Sequence, residues 1–342
     1  MTRDLSFGTL QYAVRWPVLG KYLGQLAIVL AVLALPPLAA AAMDGDAATT
    51  LRYGLVLAAL LGIGLPFARR PTPTPIQGNE ALAIAALAFI LGAFIMALPL
   101  MSPGLDWLDA MFESTSAITT TGLTTLSSVE DQPAYFLFAR AWQQWYGGLG
   151  IVVLSVALLS GYDPAARQLL DLQTRFENLD TSARLFARRA SVTYVVLTLG
   201  GIAALWLSGL PLFEALTHAL AAISTGGFST RDASLAAFPG WMPRLVAMGL
   251  SLAGAVALPL YFLAWRHGWR TLATSVELHA LLVLCVLSSA LLAFLLYHAQ
   301  GTWQADFVGH AVLMATSAQT TTGFASLPVS ELDATAKLAL IL

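Results

Sequence analysis

The sequence predicts an all-α integral membrane protein, a leader helix hairpin followed by repeated units of membrane helix, re-entrant loop and membrane helix. Three observations carry this. Of 342 residues, 58% are apolar and 11% charged, against roughly 25% charged in an average soluble domain, and the mean hydropathy is +0.74. Seven long stretches contain no Asp, Glu, Lys or Arg. A Thr- and Gly-rich segment recurs three times, each time after one of these stretches.

The uncharged stretches are residues 22–43, 53–68, 81–105, 141–162, 190–213, 245–265 and 278–305. About 20 apolar residues span the ~30 Å hydrocarbon core as a helix, so each is read as one membrane span. The second is short and is expected to extend back past Arg52. The first resembles a signal peptide in its small residues Ala40, Ala41 and Ala42, but its apolar run is about twice the usual length, and it is read as a retained span. A further helix is expected from Asp333. With the N-terminus in the cytoplasm and the spans alternating, 12 of the 17 Lys and Arg residues fall inside and 5 outside, which satisfies the positive-inside rule. The outer five are Arg52, Arg140, Arg231, Arg244 and Lys337.

This alternation requires that residues 114–129, 215–230 and 307–330 do not cross. Irregular backbone at membrane depth is tolerated only where protein or a water-filled path surrounds it, so the three are read as re-entrant loops. They are alike. Ile118-Thr119-Thr120-Thr121-Gly122, Ile223-Ser224-Thr225-Gly226-Gly227 and Gln319-Thr320-Thr321-Thr322-Gly323 align on Gly122, Gly227 and Gly323. Thirteen residues before each glycine stand Asp109, Glu214 and His310. A repeat of this kind reports architecture more strongly than any single motif. Residues 106–118 are expected to form a helix too short to cross, N-capped by Asp106. Pro211 suits the first helical position of the second unit. The C-terminus of such a helix favours a cation. Glycine permits the positive φ angles that turn successive carbonyls to one side, and rings of carbonyls replace the hydration shell of potassium in channel filters. The candidate ion-binding residues are Thr119, Thr120, Thr121, Gly122, Ser224, Thr225, Gly226, Gly227, Thr320, Thr321, Thr322 and Gly323.

These segments resemble the Trk/Ktr/HKT superfamily of potassium transporters, and the bacterial Trk-type membrane subunit in particular. Gln144-Trp145-Tyr146-Gly147-Gly148-Leu149-Gly150-Ile151 and Ser275-Val276-Glu277-Leu278 add to the likeness. The resemblance implies potassium uptake across the cytoplasmic (inner) membrane through a central pore with pseudo-four-fold symmetry, four repeats each supplying one filter strand. It also implies a homodimer and a cytoplasmic nucleotide-binding regulatory subunit. Serine at the first filter glycine goes with sodium preference in the plant branch, so Gly122 resembles the potassium-permeable type. On this pattern residues 1–80 hold the N-terminus and leader hairpin, 81–162 the first pore repeat, 163–265 a cytoplasmic loop and the second, and 266–342 a truncated third. The fourth repeat is expected beyond residue 342, from a longer chain. The alternative is a non-conducting or partial subunit that needs a missing half to form the cation pathway.

The remaining chemistry is sparse. A net charge of −2 gives no basic surface for nucleic acid. One cysteine, Cys285, allows neither an intramolecular disulfide nor a cysteine-based zinc site. The five histidines show no metal-ligand spacing, and no nucleophile–base pair suggests an enzyme. Glu113, Glu214, His218 and His310 are expected to play structural roles on the loop helices. The other acids on the outer side either draw cations to the mouth or cap helices. Gly147, Gly148 and Gly150 point to close helix packing. Residues 163–189, with five arginines and four acids, suit a regulatory partner, anionic lipid or the positive-inside rule alone.

Overall fold

The computed structural model describes residues 14–72, 76–101, 105–162, 179–300 and 306–341, and the regular elements among them are all helical. The first span is two helices, α1 (Trp16–Leu33) and α2 (Leu35–Met43), broken at Ala34. Proline supplies the reason, because Pro37 has no N–H to offer the carbonyl of Leu33 four residues back. That carbonyl is satisfied from elsewhere: the indole Nε1 of Trp142 donates to it at 2.8 Å.

Helix α3 (Ala47–Ala68) begins before Arg52, as the sequence anticipates, and is capped by Asp46, which accepts from the Thr49 N–H at 3.0 Å. It crosses α1 at two glycines. A Cβ on Gly24 would stand 2.9 Å from the carbonyl oxygen of Gly64 and 2.7 Å from the nitrogen of Ala68. Small residues at a crossing let two helices approach to backbone contact inside a membrane, and this closes the leader hairpin. Helix α4 (Gly78–Leu100) is pinned to the start of α1 through Glu80, whose carboxylate accepts from the Arg15 guanidinium at 2.6 and 2.7 Å.

Helices α5 (Trp107–Ile118), α6 (Ala134–Tyr162), α7 (Leu179–Leu207), α8 (Leu212–Ile223) and α9 (Trp241–Ala255) follow. Then come α10 (Leu258–His267), α11 (Arg270–Ala273), α12 (Val276–Gln300), α13 (Asp306–Gln319) and α14 (Ala334–Ile341). The helices that lead into the three Thr/Gly segments are α5 and α8, of 12 residues each, and α13, of 14. At 1.5 Å per residue they reach about 20 Å, too short for the hydrocarbon core. They pack on longer neighbours: α5 on α4 and α6, α8 on α7 and α9, and α13 on α12. The units also interlock, because α6 touches α8 and α9 touches α13. The largest buried cluster is centred on α8 and α13, with Ala219, Phe228, Leu313 and Phe324 at its heart.

Five of the described helical segments are long and apolar enough to cross a membrane, and α6 holds the stretch 141–162. Two expectations need correction. Residues 245–265 are not one straight span, since α9 and α10 are bent by 88°. The apolar composition runs on through the bend, but Pro259 starts the new helix. Residues 190–213 overrun their span, because α7 stops at Leu207 and Leu212 already belongs to the next helix; Pro211 is its N-cap, one place earlier than expected. The expected cap Asp106 is found, accepting from Asp109 N–H at 2.9 Å, and the helix expected from Asp333 starts there, with Asp333 accepting from Ala336 N–H at 2.9 Å. Most of the segment 163–189, residues 163–178, lies outside the described residues.

Asp46 joins the hairpin to the first repeat, because the Tyr135 hydroxyl at the start of α6 also donates to it. That bond, with the Thr49 amide, holds the carboxyl at about 2, below its ordinary 3.8. A depressed folded value means stability that is complete above 3.8 and lost as the pH falls towards 2. Asp46→Ala is expected to cost about 0.5–2 kcal/mol at neutral pH. It should also flatten the acid limb of the thermal midpoint measured in detergent; an unchanged limb would refute the assignment.

Candidate functional site

The three Thr/Gly segments begin as the C-terminal turns of α5, α8 and α13, and all three end the helix in the same way. The N–H of Thr120 donates to Ala117 O at 3.0 Å and that of Thr121 to Ser116 O at 2.8 Å. Thr225 and Gly226 make the matching bonds to Ala222 and Ala221, and Thr321 and Thr322 to Ala318 and Ser317, all between 2.8 and 3.0 Å. This pair of bonds is the Schellman cap, which needs one residue in the left-handed region and normally uses glycine. Here that residue is Thr120, Thr225 or Thr321, with φ of 56°, 50° and 57°. A β-branched residue there is strained by about 1–3 kcal/mol. Two residues on, Gly122, Gly227 and Gly323 are again left-handed, at 81°, 73° and 86°, with no positive φ between.

The strands are also set against one another. A Cβ on Gly122 would overlap the carbonyl oxygen of Gly226, and a Cβ on Gly227 would overlap that of Thr322. The second and third strands therefore each lay the carbonyl before their glycine over the glycine of the strand preceding them. At Gly323 a Cβ would meet no described atom within 4 Å. An open cavity of about 440 Å³ adjoins the second and third strands, lined by Thr225, Gly254, Ala257, Glu277, Thr320 and Thr321.

Behind each strand a polar side chain of the short helix braces the returning chain. Glu113, fully buried, accepts from the Thr124 hydroxyl at 2.6 Å and the Thr125 N–H at 2.8 Å. Glu214 accepts from the Thr230 hydroxyl and from the Arg231 guanidinium at 3.0 Å. His218 stands 2.9 Å from the Ser229 hydroxyl and His310 2.9 Å from that of Ser326. Glu113 also pairs with Arg140 of α6 at 2.8 Å, and the buried guanidinium stacks 3.9 Å from the ring of Phe228, directly after Gly227. One cation thus holds the first short helix and the second strand together.

Helix packing completes the support. Gly147 of α6 lies against the carbonyl of Ile118 and Gly254 of α9 against that of Ile223, with no room for a Cβ at either. Gln144 reaches the second strand from behind, its Nε2 donating to Gly226 O at 2.6 Å and its Oε1 accepting from Phe228 N–H at 3.2 Å. Several outer acids accept hydrogen bonds from the protein. Asp232 accepts from Ser128 Oγ at 2.8 Å and Val129 N–H at 2.6 Å, tying the first loop to the second. Likewise Ser234 Oγ accepts from the Ala325 N–H at 3.2 Å, tying the second to the third. Of the twelve residues singled out in the sequence, Gly122 and Gly226 meet across one strand pair and Gly227 and Thr322 across the next. Arg140, Gln144, Asp232 and Ser234 were not anticipated. The available signals were a charge, Arg140, directly before an apolar span and an amide, Gln144, within it at the head of a segment that carries the family resemblance.

A family model described as TrkH, cation transport protein, matches residues 49–342. The chain is 31% identical over 274 residues to the Trk system potassium uptake protein TrkH of Vibrio parahaemolyticus, covering 75% of this chain and 56% of that one. It is 30% identical over 338 residues to the Trk system potassium uptake protein TrkI of Halomonas elongata, covering 95% and 67%. Among solved structures, the potassium transporter TrkH from Vibrio parahaemolyticus superposes with a TM-score of 0.80 at 26% identity, over 95% of this chain and 69% of that one. The chain thus spans little more than half the length of the first of these relatives.

Removing one partner of a buried ion pair leaves an uncompensated charge, at a cost of about 3–5 kcal/mol. Arg140→Leu is therefore expected to destabilise the fold by that amount in detergent melts. Glu113→Gln combined with Arg140→Leu should cost less than the sum of the two single changes; strict additivity would show that the pair is not coupled.

Proposed function

The chain belongs to the TrkH cation transport protein family, and from this we propose that it takes up potassium through a filter made of backbone carbonyls in the three Thr/Gly strands. The observation that carries the reading is the threefold recurrence of left-handed Thr, intervening residue, left-handed Gly at a short-helix C-terminus. Ion selection by carbonyls depends on the number and field strength of the dipoles presented. Backbone strain, which rarely survives unless the surroundings enforce it, suits such a site. Potassium is the transported substrate rather than a resident cofactor. Thr119 to Gly122, Ser224 to Gly227 and Thr320 to Gly323 supply the ligands, with the three helix C-termini adding negative potential.

The proposal places the protein in the cytoplasmic membrane with its N-terminus inside, supported by the distribution of Lys and Arg. It extends to a homodimer and a cytoplasmic nucleotide-binding regulatory subunit, which rest on the sequence resemblance. A second reading is favoured by the open face of Gly323: these 342 residues supply part of a pathway that another backbone completes. Under it, the isolated chain reaches the membrane folded yet passes no rubidium.

Gly227→Asp sets a side chain against the Thr322 carbonyl and a charge beside the strands. In cells that lack other potassium uptake, the variant of the full-length protein is expected to show background rubidium uptake per unit of protein in the membrane, with abundance measured alongside. Normal uptake by that variant would overturn the filter assignment.

A further inference from the structure

The three strands are not chemically equivalent, and the difference sits at the residue before each glycine. In the first and third strands this is Thr121 or Thr322, and its hydroxyl pairs with that of Thr119 or Thr320 at 2.8 Å. In the second strand it is Gly226, which has no side chain. The space is taken by Gln144: a Cβ on Gly226 would stand 2.6 Å from the amide Nε2. Gln144 is completely buried and spends both ends of its amide on this strand, one on Gly226 O and one on Phe228 N–H. The neighbouring unit shows the complementary arrangement. Three residues before the packing glycines Gly147 and Gly254 stand Gln144 and Ser251, both buried. A large amide accompanies the strand with glycine, and a small hydroxyl occupies the matching register in the next repeat.

We infer that Gln144 is a positioning residue for ion selection, setting the orientation and field strength of the Gly226 carbonyl and making the second strand a weaker cation ligand than the other two. The inference deepens the filter reading and rests on it. A carbonyl that accepts a 2.6 Å bond from a buried amide shares its lone pairs between that donor and any cation. The bond also resists the small rotation with which a carbonyl follows a smaller ion. Potassium and sodium differ in how closely ligands must collapse around them, so the tether acts on discrimination rather than on transport in general.

Gln144→Leu keeps the volume and removes both bonds. With the full-length protein in cells lacking other potassium uptake, the readout is the ratio of the sodium to the potassium concentration that halves rubidium uptake. Loss of a hydrogen bond of ordinary strength predicts a shift in this ratio of about threefold to tenfold at wild-type abundance. A purely structural role would lower uptake and abundance together and leave the ratio alone, and that result overturns the inference. The double variant Gln144→Ser with Gly226→Thr transplants the arrangement of the other strands and is expected to shift the ratio in its own right, which keeps the inference testable if Gln144→Leu does not accumulate. An unchanged ratio there also overturns it. Gly227→Asp measured in parallel separates the two ideas. If it transports normally, the filter reading fails; if it is inactive while both Gln144 variants keep the wild-type ratio, only the present inference fails.

Discussion

A β-branched residue in the left-handed region is disfavoured by contact between its own Cβ and the backbone, and this fold imposes that conformation three times, at Thr120, Thr225 and Thr321. Much of the surrounding chemistry can be read as what holds those turns in place. Paired cap bonds lock each helix end. Glu113, Glu214, His218 and His310 brace the chain that leaves each turn. Gly147 and Gly254 let a long helix press directly on a short-helix carbonyl. The largest buried cluster lies around α8 and α13, the elements that carry two of the turns. Rigidity here follows from geometry: a strand held in a strained shape persists only where every neighbour agrees with it.

The elements that were legible in the sequence are those written in local chemistry. Asp106 and Asp333 announce helix starts because a short acid satisfies exposed N–H groups within its own turn. Gly122, Gly227 and Gly323 announce the repeat because positive φ excludes most other residues. Less legible were features whose partners lie far along the chain. Arg140 counted as one more outer charge, yet it is buried between Glu113 and Phe228. Gln144 read as part of a span, and its partner stands 82 residues away. The left-handed threonines were named as ligands, but nothing local in Thr-Thr-Thr reveals that the middle residue is inverted. The bend between α9 and α10 left no mark in the hydropathy, which has no sense of direction, and Pro259 in the first turn of α10 was its local sign.

Electrostatics divides the acids by burial. Glu113 and Glu214 lie in the protein and answer to hydrogen-bond donors, not to ions at the mouth. Asp46, Asp106, Asp232 and Asp333 are committed to caps and loop ties. Glu277, in the wall of the cavity beside Thr225 and Thr321, is differently placed. The C-termini of α5, α8 and α13 add peptide dipoles to that carboxylate, and these neither titrate nor move with a side-chain rotamer.

The overlap of strands has a direction. Gly122 is covered by a carbonyl of the second strand and Gly227 by a carbonyl of the third, so each turn is completed by a segment made one whole repeat later. During synthesis, the newest repeat in the membrane always has an uncovered glycine and an unsupported inverted turn. Closure of the strands thus runs against the order of synthesis: neither Gly122 nor Gly227 has its covering carbonyl until the following repeat has been made.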